Sequence, residues 1–90
     1  MEIQPTGFVS SHKTGSLSGL TLEQIQQRLG FGPTSENDDK SAYTWDFKVD
    51  GAECSIWDWK GSHRSRQWSA YGPADKLRAV FGNSYSSGAF

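Results

Sequence analysis

The chain has 90 residues, which is the size of one small domain with a single core. Nine Lys and Arg against ten Asp and Glu give a formal net charge of −1, so the chain as a whole is not a polycation for nucleic acid. A single cysteine, Cys54, excludes an intramolecular disulfide framework and a cysteine-rich zinc site. No run of about 18 apolar residues predicts a membrane span, and no secretory signal is visible at the start.

The chain begins with a segment rich in Ser, Thr and Gly, residues 1–19, which we expect to be a flexible arm with at most one short edge strand around residues 7–11. A helix is predicted next. Thr21 can cap it, and Gln24 completes a capping box. Apolar side chains then recur at helical spacing before Gly30 supplies a left-handed stop: Leu22, Ile25 and Leu29.

Residues 42–60 predict a β-hairpin around a type I′ turn at Asp50-Gly51. That turn sets the register and places Lys48 opposite Glu53. One face of the hairpin is apolar and predicts a core face: Tyr43, Trp45, Phe47, Val49, Ala52, Cys54 and Ile56. The opposite face is polar except for two indoles: Thr44, Asp46, Lys48, Glu53, Ser55, Trp57 and Trp59.

A third strand is predicted at residues 68–71, followed by a second helix with Pro73 at its first helical position and Gly82 at its end. Its apolar stripe consists of Leu77, Val80 and Phe81. Residues 83–90 are expected to be a flexible tail. The predicted fold is therefore α+β: a three-stranded antiparallel sheet within a single domain at residues 20–82, flanked by an N-terminal and a C-terminal helix that both pack on the core face.

Indoles and cations interleave after the hairpin in a pattern that suits a ligand carrying a base and a phosphate. An indole can stack on a base, while Arg and Lys neutralise phosphate. The candidate ligand-binding residues are Trp57, Trp59, Lys60, His63, Arg64, Arg66 and Trp68. The alternative is that the N-terminal arm or a second subunit covers the indoles, in which case the patch marks an interface.

Catalytic chemistry is not predicted. Asp58 and His63 could form an acid–base pair, but the favoured interpretation is that Asp58, at the rim of the core face, bonds Tyr43 or loop amides. No Ser or Cys nucleophile stands beside them at a recognisable spacing. Cys54 points inward and is expected to be a core residue. The acidic cluster Glu36, Asp38 and Asp39 is interpreted as a solvated loop, since a divalent-cation site needs more oxygen ligands. We expect no metal and no cofactor.

Residues 45–72 resemble a pattern of small, mostly uncharacterised phage-encoded proteins. The shared elements are W-x-F at Trp45 and Phe47, a hairpin glycine at Gly51, I-x-D-W-K at residues 56–60 and W-S-x-x-G at residues 68–72. The resemblance implies a viral or mobile-element origin, where small single domains often bind host components. In addition, G-L-T-x-x-x-I-x-x-x-L-G at residues 19–30 is similar to the opening of helix–sheet modules in β-lactamase-inhibitor-like and outer-membrane-assembly lipoprotein domains.

Two functional hypotheses follow. The first is a non-enzymatic binder of a phosphate-bearing ligand, such as a nucleotide or single-stranded nucleic acid, acting on host components in the host cytoplasm, for instance in counter-defence. The second is a protein–protein inhibitor or interaction module that docks its tryptophan face on a host protein, with Trp and Arg as the anchors. A homo-oligomer that forms through the same face is a further alternative. No membrane partner is expected.

Overall fold

The computed structural model describes residues 2–7, 9, 12–36, 43–58 and 62–88. These residues form two eight-residue helices, seven short strands and two 3-10 turns. In chain order the elements are β1 Ile3–Pro5, β2 Gly15–Ser18, α1 Leu22–Leu29, β3 Ser35–Glu36, β4 Tyr43–Val49, β5 Ala52–Trp57, a 3-10 turn Ser62–Ser65, β6 Gln67–Tyr71, α2 Ala74–Phe81, a 3-10 turn Gly82–Ser84 and β7 Tyr85–Ser87.

The strands form one antiparallel sheet in the order β1–β4–β5–β6–β2–β7, with β3 paired to β4 as well. The prediction of a three-stranded sheet flanked by two helices is therefore wrong. The central β4–β5–β6 meander is as expected, but the segments 1–19 and 83–90 add β1, β2 and β7. They do so because β4 and β6 would otherwise expose unpaired backbone groups along both edges of the meander.

The predicted hairpin register is confirmed. Asp50 and Gly51 both have positive φ, 51° and 84°, as a type I′ turn requires. Trp45 pairs with Ile56, and Lys48 pairs with Glu53. The apolar face is the buried one, since its five central side chains have no exposed surface: Trp45, Phe47, Val49, Cys54 and Ile56.

Helix α1 begins and ends as predicted. The Thr21 hydroxyl accepts a bond from the Gln24 backbone N–H, and the Gln24 side chain accepts one from the Thr21 N–H. Gly30 ends the helix in the left-handed conformation, with φ 93°. Helix α2 differs in one detail: Pro73 is the residue before the helix, with an extended ψ of 131°, and not the first helical residue.

Two tryptophans hold α1 against the sheet. The rings of Trp45 and Trp68 meet edge to face, with centroids 5.5 Å apart. The Trp68 indole N–H donates to the carbonyl of Leu20, just before α1, at 2.9 Å. The Trp45 indole N–H donates to the carbonyl of Phe31, just after α1, at 3.1 Å. Both helices contribute to the single core cluster on this side of the sheet, so they share one face as predicted.

Replacing Trp45 by Ala removes a fully buried ring and its bond to Phe31. We expect the free energy of unfolding, measured by urea denaturation with far-UV circular dichroism, to fall by about 3–5 kcal/mol. Trp57→Ala on the other face of the sheet is the control and should cost much less, because that ring is only half-buried. Equal losses in the two variants would contradict this assignment of faces.

Replacing Gly72 by Ala should also destabilise the fold. A Cβ at this position would lie 2.7 Å from the Cys54 sulfur, and the backbone has φ 138°. We expect a loss of about 1–3 kcal/mol in the same denaturation experiment. Gly7→Ala is the matched control, since no atom lies within 4 Å of a Cβ there. An unchanged unfolding midpoint for Gly72→Ala would show that β5 can move away from this turn at no cost.

Candidate ligand-binding site

The face of the sheet opposite the helices, here called the open face, carries small hydroxyl side chains around one indole. Trp57 pairs with Thr44 on one side and with Ser69 on the other. The same line of pairs continues from Ser69 to Ser16 and from Ser16 to Ser86. We call Ser86, Ser16, Ser69 and Thr44 the hydroxyl row, with Trp57 between its last two members.

The connection from β1 to β2 runs across the open face. The Thr6 N–H extends the β1 ladder to the carbonyl of Asp46, and the Thr14 N–H reaches the carbonyl of Ala70 on the far side of β5. Between these points the His12 ring lies 5.2 Å from the Tyr71 ring. Val9 is buried, yet it is not part of the core cluster under the helices. The described residues of this connection, 6–7, 9 and 12–14, are here called the crossing segment. Its His12 lies against the row of pairs next to the hydroxyl row, which consists of Asp46, Ser55 and Tyr71.

A buried carboxylate, Asp46, belongs to this neighbouring row. Asp46 is 8% exposed, and its Oδ1 accepts a bond of 2.9 Å from the hydroxyl of Ser55, which is 1% exposed. The Asp46 backbone N–H donates to the Thr34 hydroxyl at 2.8 Å. Burial raises the pKa of the Asp46 carboxyl above its ordinary value, and the bond from Ser55 offsets part of that rise.

Arg64 and Arg66 lie between β5, which ends at Trp57, and β6. Both are exposed, and they occupy the turn that joins the end of β5 to the start of β6. Arg66 has φ 57°, in the left-handed region that long side chains rarely adopt. Its carbonyl accepts a bond of 2.8 Å from the Gly19 N–H, which holds this conformation. The turn thus presents two guanidinium groups at the same end of the sheet as Trp57.

The other predicted ligand-binding residues are not all at this site. Trp68 is 2% exposed and packed in the core, so the prediction that it stacks on a ligand is corrected: the side of β6 that carries it faces the helices. Trp59 and Lys60 lie outside the described residues, and so does the side chain of His63.

Asp58 has no exposed surface and takes part in the closure of the hairpin. Its Oδ1 accepts a bond of 2.8 Å from the Tyr43 N–H, and its own N–H donates to the Tyr43 carbonyl. This is the bond to Tyr43 that the register predicts. The side chain of His63, the other predicted partner of Asp58, lies outside the described residues. Cys54 is a core residue as predicted, and burial raises the pKa of its thiol to about 11.

The sequence pattern did not reveal the contribution of the N-terminal arm to the site. Ser16, His12 and Lys13 all precede α1, in a segment whose Ser and Gly content is typical of a loop. The available signal was the alternation in Gly15–Ser18, where Gly15 and Leu17 are buried and Ser16 and Ser18 are not. Four residues with one large apolar side chain are too few to distinguish a strand from a loop.

No protein-family model, curated protein or solved structure matches this chain. Within the described ranges, no three His, Cys, Asp or Glu side chains are grouped so that they could hold a metal ion. Neither of the described helices has the length and apolar character needed to cross a membrane.

The raised pKa of Asp46 has a consequence for stability. Because the folded state holds this proton more tightly than the unfolded state, the ionised carboxylate destabilises the fold at neutral pH, and the destabilisation is relieved as the pH falls through the folded-state pKa. We expect Asp46→Asn, which keeps an oxygen for the Ser55 hydroxyl, to be at least as stable as the parent protein at pH 7. The gain should shrink towards pH 4 in urea denaturation. If Asp46→Asn is less stable than the parent protein at pH 7 and equally stable at pH 4, the ionised carboxylate stabilises the fold and this prediction is wrong.

Proposed function

We propose that the protein is a small non-enzymatic binding protein whose ligand combines an aromatic base with a phosphate, as a nucleotide or a single-stranded nucleic acid does. Trp57 would stack on the base, and Arg64 and Arg66 would hold the phosphate. The proposed setting is the cytoplasm, where such ligands are abundant. The support comes from the indole on the open face and from two exposed arginines, Arg64 and Arg66, in the connection that follows its strand, β5.

The observation that carries the proposal is the backbone of Arg66. A left-handed conformation costs a non-glycine residue about 1–3 kcal/mol, and Gly would occupy the position without that strain. Arg66 nevertheless stands there, exposed, with its carbonyl bonded to Gly19. Since the guanidinium contributes nothing to the buried core, its use at a strained position favours a role in recognition.

The surroundings of Trp57 suit stacking. Its partners across the strands, Thr44 and Ser69, are small and polar, so no large apolar neighbour in the described pairs competes for the ring. Stacking on an aromatic side chain is worth about 1–3 kcal/mol per base. The guanidinium groups of Arg64 and Arg66 can donate bidentate, charge-assisted bonds to phosphate oxygens.

Arg66→Gly tests this function, because it removes the guanidinium and relieves the strain at once. We expect the unfolding free energy to stay the same or rise by about 1 kcal/mol. The Kd for ATP or for an eight-residue oligothymidylate, measured by intrinsic fluorescence quenching and calorimetry, should rise about tenfold or more. Arg64→Ala should act in the same direction, and both affinities should fall as salt is added.

Lys76→Ala is the matched control. It also removes one positive charge, but Lys76 lies on α2, on the helix side of the sheet, where it pairs with Asp50. Its affinity for both probes should equal that of the parent protein. The proposal fails if neither probe binds at low salt, which would favour a protein ligand for the open face, or if Arg66→Gly and Lys76→Ala bind equally well.

A further inference from the structure

We propose that Asp50-Gly51 is a self-modification site, at which Asp50 cyclises onto the next backbone nitrogen and becomes isoaspartate at a rate that two hydrogen-bond donors of the folded protein hold down. The donors are the backbone N–H of Glu2 and the ammonium of Lys76, here together called the clasp. The site lies at the tip of the β4–β5 hairpin, and none of the residues proposed to bind the ligand takes part in it.

The Asp50-Gly51 turn is open to this reaction. An aspartate that precedes glycine cyclises most readily, because glycine has no Cβ to shield its backbone nitrogen. Both residues are exposed, and among the described residues no atom beyond the chain neighbours of Gly51 lies within 4 Å of the place that a Cβ would take. The type I′ turn needs positive φ at both positions and therefore favours this same residue pair. The pair that makes the hairpin is thus also the pair that is most prone to cyclise.

The reaction needs nothing besides the chain and water. The Gly51 nitrogen attacks Cγ of the protonated Asp50 carboxyl group, and the hydroxyl of that group leaves with the N–H proton as one water. The product is a five-membered succinimide ring. Water then adds to the ring at the Asp50 main-chain carbonyl, breaks its bond to nitrogen and returns the proton to that nitrogen. The main chain now runs through Cγ, so the product is isoaspartate, with the mass of the original residue.

The clasp engages both carboxylate oxygens of Asp50. Oδ1 accepts a bond of 2.8 Å from the Glu2 N–H, and Oδ2 accepts one of 3.4 Å from the Lys76 Nζ. The Asp50 N–H also donates to the Glu2 carbonyl at 2.8 Å, so the residue is fixed to the chain before β1 at two points. Ring closure removes one of the two carboxyl oxygens. Whichever oxygen leaves, one bond of the clasp is lost.

The clasp also keeps the carboxyl group ionised. The bond from the Glu2 N–H lowers the pKa of the Asp50 carboxyl below its ordinary value, and Lys76 acts in the same direction. An ionised carboxylate is a poor electrophile, whereas a protonated carboxyl group can release its hydroxyl as water. At a given pH the folded protein therefore holds less of the reactive form than the unfolded chain does.

Isoaspartate at this position is incompatible with the turn. It adds one carbon to the main chain of a turn that has only two central residues. Val49 and Ala52 pair directly next to the turn, and Val49 also pairs with Ile3 of β1 and has no exposed surface. The added carbon displaces these pairs, and the carboxylate that held Glu2 is lost. The modification should therefore loosen both the tip of the hairpin and β1.

The experiment follows isoaspartate at residue 50 while the folded full chain is incubated at pH 7 for several weeks. Proteolysis with electron-based fragmentation locates the product, and enzymatic methylation of isoaspartyl groups measures its amount. Lys76→Ala should raise the rate about twofold or more, since an exposed ion pair contributes only modestly. Glu2→Pro, which removes the backbone N–H, should raise it further. The parent chain unfolded in urea should react fastest.

Two matched controls leave the clasp in place. Lys48→Ala removes one positive charge from the same hairpin, where Lys48 pairs with Glu53. Glu2→Ala changes the same residue as Glu2→Pro but keeps its N–H. Both controls should react at the parental rate. Thermal unfolding of each variant confirms that the rates refer to folded protein, and Lys76→Ala alone carries the comparison if Glu2→Pro does not fold.

The outcomes separate the parts of the proposal. If residue 50 forms no isoaspartate even in urea, the turn is not a modification site. If folded Lys76→Ala reacts at the parental rate, or no faster than Lys48→Ala, the clasp does not control the reaction and the proposal is overturned. A faster reaction in Lys76→Ala than in Lys48→Ala, with a lower unfolding midpoint for the modified protein, supports it.

Discussion

The two indole hydrogen bonds that hold α1 are the contacts on which the rest of the structure depends. An eight-residue helix is too short to be stable by itself, so it has to be fixed by tertiary contacts. Trp68 binds the carbonyl before the helix and Trp45 binds the carbonyl after it, while their rings pack against each other. The helix is thereby fixed at both ends to two different strands of the sheet, β4 and β6, and the core closes around this pair.

Because Trp68 is packed in the core, its ring is not available on the open face to bind a ligand. Because the indoles of β4 and β6 face the helices, the alternation of the strands leaves Trp57 on the open face, among hydroxyl side chains and other polar residues such as Asp46 and Lys48. The described residues of the N-terminal segment also reach this face, where His12 lies against Tyr71 in the row that contains the buried Asp46 and Ser55. Core packing and the shape of the candidate site are therefore two results of the same strand register.

Local signals in the sequence were sufficient for the elements that depend on short-range chemistry. The Asp50-Gly51 turn predicted every pair of the hairpin, and Thr21 with Gln24 predicted the start of α1, because in each case the determining contacts lie within a few residues. The added strands could not be predicted in this way. β2 is defined by its partners β6 and β7, which lie far along the chain, and its own residues are small and polar.

In the candidate site, too, only the features that depend on local contacts were predictable from the sequence. The alternation of the hairpin placed Trp57 on the polar face correctly, because its register was set locally. The assignment of Trp68 to the ligand was wrong because the pattern of a single strand does not say which of its faces the helices will cover. His12 and Lys13 reach this face only through the placement of β2, so the long-range pairing that the sequence did not reveal also hid their position.

The position of β2 between β6 and β7 also has a kinetic consequence. Gly15 pairs with Ala70 on one side and with Ser87 on the other. The hydrogen bonds of β2 can therefore form only after these later parts of the chain have been synthesised. Such non-local pairing raises the contact order and slows folding, whereas the β4–β5 hairpin can form early from adjacent residues. During translation the N-terminal segment would stay unpaired until the last strands emerge from the ribosome. Its polar composition, with few large apolar side chains, lowers the risk that it aggregates during that interval.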